Sequence, residues 1–234
     1  MTPQRRLVAI LCCLAAAAIP VAAFAHGIGG DDAQFVANVQ GPDPVPFLYL
    51  GAKHMVTGYD HLLYLVGVIF FLFRLRQVAL YVSLFSLGHS ITLIAGVYFK
   101  ILVDSHLVDA VIGLSVVYKG FENLGGFRTL IGAQPDPRLA VFAFGLVHGF
   151  GLATKLQALN PHPNGLLVNL ISFNVGVEIG QVIALSIILT LMVLWRRTRW
   201  FDRTAGIANV LLMLAGFVLA GEQIAGYIYG GAVR

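Results

Sequence analysis

The chain has 234 residues, 58% of them hydrophobic and only 11% charged, with a mean hydropathy of +0.84. A soluble domain carries about 25% charged residues, so this composition argues against a soluble enzyme and for a chain that crosses the bilayer several times. The net charge of +4 is scattered over short loops between apolar runs, which is a topology signal rather than a nucleic-acid surface.

Residues 1–25 read as a secretory signal peptide. Arg5 and Arg6 form its basic start, Leu7 to Ile19 its apolar stretch, and Ala23-Phe24-Ala25 its cleavage pattern. Cys12 and Cys13 both lie in this segment, so a metal site in the mature chain would use imidazole, carboxylate, amide or backbone oxygen. Cleavage after Ala25 would expose His26 as the N-terminus, where α-amine and imidazole together chelate nickel or copper, with Asp31 and Asp32 nearby. A flexible tether is the plainer role for this segment. Residues 26–46 are expected to be a periplasmic N-terminal segment, and residues 47–234 a transmembrane domain.

Six apolar runs follow, at 47–73, 78–99, 107–124, 138–157, 166–195 and 206–228. Each is near the ~20 residues a spanning helix needs, and isolated strands cannot satisfy their backbone in lipid. The expected fold is therefore an all-α membrane protein of six transmembrane helices. Arg74, Arg76, Arg128, Arg138, Arg196, Arg197, Arg199 and Arg203 fall in loops on one side. The positive-inside rule places that side in the cytoplasm and both mature termini in the periplasm.

Three short matches recur in the same order. Gly58-Tyr59-Asp60-His61 resembles Gly145-Leu146-Val147-His148, and Phe85-Ser86-Leu87-Gly88 resembles Phe173-Asn174-Val175-Gly176. Glu122-Asn123-Leu124-Gly125-Gly126 resembles Glu222-Gln223-Ile224-Ala225-Gly226. Three helices per repeat would make the halves inverted, an arrangement that places transporter sites near the midplane.

Charged and imidazole groups are rare inside membrane segments because each costs about 2.5–3.5 kcal/mol at the bilayer centre. Here His54, Asp60, His61, His89, His148 and Glu178 all fall inside apolar runs. Seven residues apart in one helix, His54 and His61 would share a face two turns apart. Asp60 is placed to orient a histidine or to bind metal itself. Ser86 and Ser90 flank His89, while Asn174 and Gln181 share the spacing of Glu178. Glu122 with Asn123 near the inner end, and Glu222 near the outer end, would line the two mouths of a path. Each group also has a duller role as hydrogen-bonding glue between helices, and Lys119 with Glu122 could be a simple ion pair.

Taken together, the H-x5-D-H segment, Ser86-Leu87-Gly88-His89-Ser90, Glu122-Asn123, Gly145-Leu146-Val147-His148-Gly149-Phe150-Gly151 and Phe173-Asn174-Val175-Gly176-Val177-Glu178 resemble the HupE/UreJ family. The resemblance runs from His54 to Glu222. It implies a nickel-permease-like membrane protein accessory to hydrogenase or urease, with His54, Asp60, His61, His89 and His148 in metal handling. Nickel–cobalt transporters also carry a His-Asp-His motif, with one residue fewer in its gap. Better-known HupE/UreJ members are richer in histidine where this chain has Phe144 to Gly149, so its metal could differ. The expected function is a permease for a divalent transition metal, nickel first and cobalt second, with zinc a further candidate. Hydrogenase or urease maturation machinery would be the downstream partner. An inward dication gains about 4.6 kcal/mol per 100 mV of membrane potential. The alternatives are an intramembrane metal-dependent hydrolase, assisted by Ser86, Ser90 or Glu178, and a metal sensor without transport.

Overall fold

The computed structural model describes residues 31–159 and 161–230; the expected signal peptide and His26 lie outside them. Among the described residues the regular structure is entirely helical. A short helix α1 (Asp31–Asn38) precedes α2 (Pro44–Thr57), α3 (Tyr59–Ile69), α4 (Leu75–Tyr98) and α5 (Ser105–Asn123). Then come the single-turn α6 (Gly126–Ile131), α7 (Pro137–Ala158), α8 (Leu166–Arg196) and α9 (Phe201–Gly230). Local chemistry sets several of these starts. Pro44 and Pro137 occupy first-turn positions where no amide hydrogen is needed. Asp104 caps α5 by accepting from the amides of His106 and Leu107, and Asp136 caps α7 through Arg138.

Among the described residues four helices, α4, α7, α8 and α9, are long and apolar enough to cross a membrane. The other two expected spans differ in physical character. In α5, 19 residues carry Asp109, Lys119 and Glu122, all buried against neighbours. The first apolar run is not one helix but two, broken at Gly58. Gly58 has extended backbone (φ −72°, ψ 101°) while its amide still closes α2 on the carbonyl of His54 at 2.8 Å. A side chain there would start 2.9 Å from His61 Nδ1 and 3.1 Å from Asp60 Oδ1, so the break needs glycine. The two-turn separation expected of His54 and His61 is thereby cancelled.

The helices associate as three pairs: α2 with α8, α4 with α7, and α5 with α9. Glycines make each crossing close. A Cβ on Gly51 would strike the Phe173 carbonyl, and one on Gly176 the Leu48 carbonyl beside the Ala52 amide. In the second pair, Gly145 lies against the Phe85 carbonyl, and Gly88 lies against the Phe142 carbonyl and Leu146 amide. In the third, Gly113 and Gly216 approach each other's helix reciprocally: a Cβ on Gly113 would lie 2.6 Å from the Ala220 amide nitrogen, and one on Gly216 2.9 Å from that of Val117. Small residues of this kind let membrane helices touch backbone to backbone. Gly145→Ala is therefore expected to lower stability by about 1–3 kcal/mol, the usual cost of overpacking. A lower thermal midpoint of the purified protein in detergent would show it.

Away from the crossings, Leu87, Ile91, Val175, Ile183 and Phe217 are exposed on the outer surface, as lipid-facing side chains should be. At the arginine-rich end, the Arg196 guanidinium donates to the carbonyls of Ile69, Phe70 and Leu72, closing the C-terminus of α3 from α8.

Candidate metal centre

Four histidines from four helices meet in the protein interior. The His61 ring lies 5.1 Å from that of His54, 5.7 Å from His89 and 4.9 Å from His148, centroid to centroid. His61, His89 and His148 are almost wholly inaccessible. Phe85 and Tyr64 complete the wall, with ring centroids 5.0 and 5.3 Å from His148.

Asp60, His61 and His148 each present a ligand atom within 4.8 Å of the other two. Their hydrogen bonds fix which atoms are free. Asp60 Oδ1 takes the backbone amide of His61 at 2.9 Å and its ring Nδ1 at 3.0 Å. That holds the proton on Nδ1 and leaves Nε2, buried and without a hydrogen-bond partner, as a lone-pair donor. On the opposite side, the Ser115 hydroxyl donates to the Ile112 carbonyl at 2.6 Å, so toward His148 it can only accept. His148 Nε2 at 3.2 Å must then carry the proton, and its partnerless Nδ1 is the free donor. His89 has neither ring nitrogen bonded. Buried polar atoms left open in this way are expensive unless a ligand meets them, and imidazole with carboxylate suits nickel, cobalt or zinc.

Ser115 was not singled out from the sequence, because a serine in an apolar helix is commonplace. Ser115→Ala is expected to weaken metal affinity about tenfold by freeing the His148 tautomer, in line with losses seen for outer partners of ligand histidines. A nickel titration of the variant checks it.

Other expected site residues fall elsewhere. Glu178 stands on the exposed side of α8, not in the cluster. The buried arc of that helix centres on Phe173, Val177 and Gly180, and at about 100° per residue Glu178 falls just past its edge. Asn174 and Gln181 are inside the arc: Gln181 accepts from Ser86 at 2.5 Å, while both polar atoms of Asn174 are buried without a partner. Ser90 is half-buried and Glu222 is exposed on α9.

Polar groups do continue on both sides of the cluster along α5. Toward the arginine-rich end, Glu122 accepts from Lys119 at 2.6 Å and from Gln134 at 3.1 Å. Asn123 donates to the Gly67 carbonyl and to Asn209, each at 2.9 Å. Toward the other end, Lys155 of α7 meets Asp109 of α5 at 2.8 Å. The buried acid at that end is thus Asp109, not Glu222, because Asp109 faces α7 whereas Glu222 faces out. Charged residues in apolar runs were the signal followed for Glu178, and the same signal would have found Asp109 and Lys155.

A multi-pass membrane protein with a buried His/Asp group able to hold a metal ion is the class these features define. The chain belongs to the HupE / UreJ protein family, whose model matches residues 31–230. No curated protein and no solved structure matches it. The family ties the chain to nickel- or cobalt-related accessory or permease function.

Proposed function

We propose that the protein is an inner-membrane permease for a divalent transition metal, with nickel the first candidate, cobalt the second and zinc the third. The observation that carries this reading is the pair of free, tautomer-fixed ring nitrogens on His61 and His148 beside the Asp60 carboxylate. Asp60 supplies charge compensation and orientation, and His54 and His89 are adjacent nitrogen ligands. In this reading α2 with α3, and α5, count as spans, giving six, with arginine loops cytoplasmic and both ends of the transmembrane domain periplasmic. The two halves are inverted repeats. Glu122 and Asn123 serve the cytoplasmic mouth. The imported ion serves hydrogenase or urease maturation. The hydrolase reading draws less support, since the Ser86 hydroxyl is committed to Gln181.

The test is uptake into proteoliposomes at trace nickel, cobalt and zinc under an inside-negative potential. Accumulation of one metal above protein-free vesicles supports the permease and names its cargo. Stoichiometric binding without flux would overturn it in favour of a sensor or enzyme.

A further inference from the structure

The crossings of α2 with α8 and of α4 with α7 are one arrangement made twice. Gly51 on the Phe173 carbonyl corresponds to Gly145 on the Phe85 carbonyl. Gly176 on Leu48 and Ala52 corresponds to Gly88 on Phe142 and Leu146. The register holds through all four contacts, with α2 matching α7 and α8 matching α4. The third pair maps onto itself through Gly113 and Gly216. This register matches Gly145 to Gly51, one heptad before the Gly58 suggested by sequence similarity. Three residues on from each glycine stands a histidine: His54 and His148. Each packs on the matching phenylalanine, His54 on Phe173 at 6.1 Å and His148 on Phe85 at 5.0 Å. His61 lies between these two mates, 5.1 Å from one and 4.9 Å from the other.

We propose that the metal has two alternative positions sharing His61 and the neighbouring charge of Asp60, with His148 as the second imidazole in one and His54 in the other. The present structure has the first position assembled, since Asp60, His61 and His148 converge. The pseudo-symmetric rearrangement of the two helix pairs assembles the second. Rigid rocking of one repeat against the other is how inverted repeats alternate access, and here that motion exchanges one imidazole for its mate. His54 lies on the outer side of the Gly58 break, so the exchange hands the ion inward from His54 to His148. The inference rests on the permease reading for its direction, but its two-position content is a statement about binding alone.

The experiment uses the full-length protein purified in detergent, with nickel as probe. Equilibrium titration and X-ray absorption are recorded for wild type, His54→Ala, His148→Ala and the double variant, with His54→Asn and His148→Asn as fold-preserving alternates. Each single variant is expected to bind one nickel within about tenfold of wild-type affinity, a loss no larger than that of an outer-shell change. The double variant should lose binding by more than about 100-fold. Both single variants should lose flux in proteoliposomes. Loss of binding in His148→Ala alone, with His54→Ala binding normally, would mean one fixed position and overturn the proposal. Normal flux in His54→Ala would overturn it as well. If wild type binds but does not transport, the permease reading fails, while the single-against-double comparison still decides the two positions.

Discussion

Replacing His61 with alanine is expected to abolish metal binding and uptake together. Its ring is in contact with all three other histidines of the cluster, at centroid distances of 4.9 to 5.7 Å. It is also the ring oriented by Asp60. Removing it deletes a nitrogen donor and leaves Asp60 without its imidazole partner. Changing an outer partner of a ligand histidine costs about 10–100-fold in affinity, so losing this ligand should cost more than about 100-fold. Nickel titration and trace-metal flux on the same preparation check the result. A His61→Ala protein that binds within tenfold of wild type would place the ion elsewhere.

Lys155→Met is expected to be the most destabilising of the charge-removing changes, while a second change should reverse it. Asp109 is buried, with Oδ2 on Lys155 and Oδ1 without any hydrogen-bond partner. Removing the lysine strands a buried carboxylate, and breaking such a pair costs about 3 kcal/mol or more. Asp109→Asn in the same chain removes the stranded charge and should recover most of that loss. Thermal denaturation of both variants measures the coupling. Equal losses in the single and double variants would mean that the pair contributes packing only. Lys119 and Glu122 form a different case, since Gln134 also holds Glu122.

The convergence of the histidines was legible in the sequence because imidazoles in apolar runs are costly and therefore conspicuous. Their geometry was not. The break at Gly58 is written in a single glycine within a run rich in them, and only the collision of a side chain there with His61 and Asp60 shows why it is required. The face of Glu178 could not be read either. Helical spacing groups it with Asn174 and Gln181, but which edge of that group is buried depends on α2 packed alongside. The six apolar runs located the helices well. The i, i+3 spacing of Lys119 and Glu122 made their pairing within α5 legible, but not that Asp109 would pair with Lys155, because that partner lies in α7. The repeat shows the same limit. Similarity of Gly-x-x-His segments suggested one register, whereas the proposed two-position site uses the one a heptad away.

The interruption at Gly58 has an electrostatic consequence for any cation held beside it. It starts α3 inside the protein, and the aligned peptide dipoles there amount to roughly half a positive charge at the helix's first turn. That field repels a dication. Asp60, in the same turn, offsets it, and its carboxylate is already shared with the amide and ring of His61. A cation held there would therefore be bound less tightly than the same imidazoles and carboxylate would bind it away from a helix start.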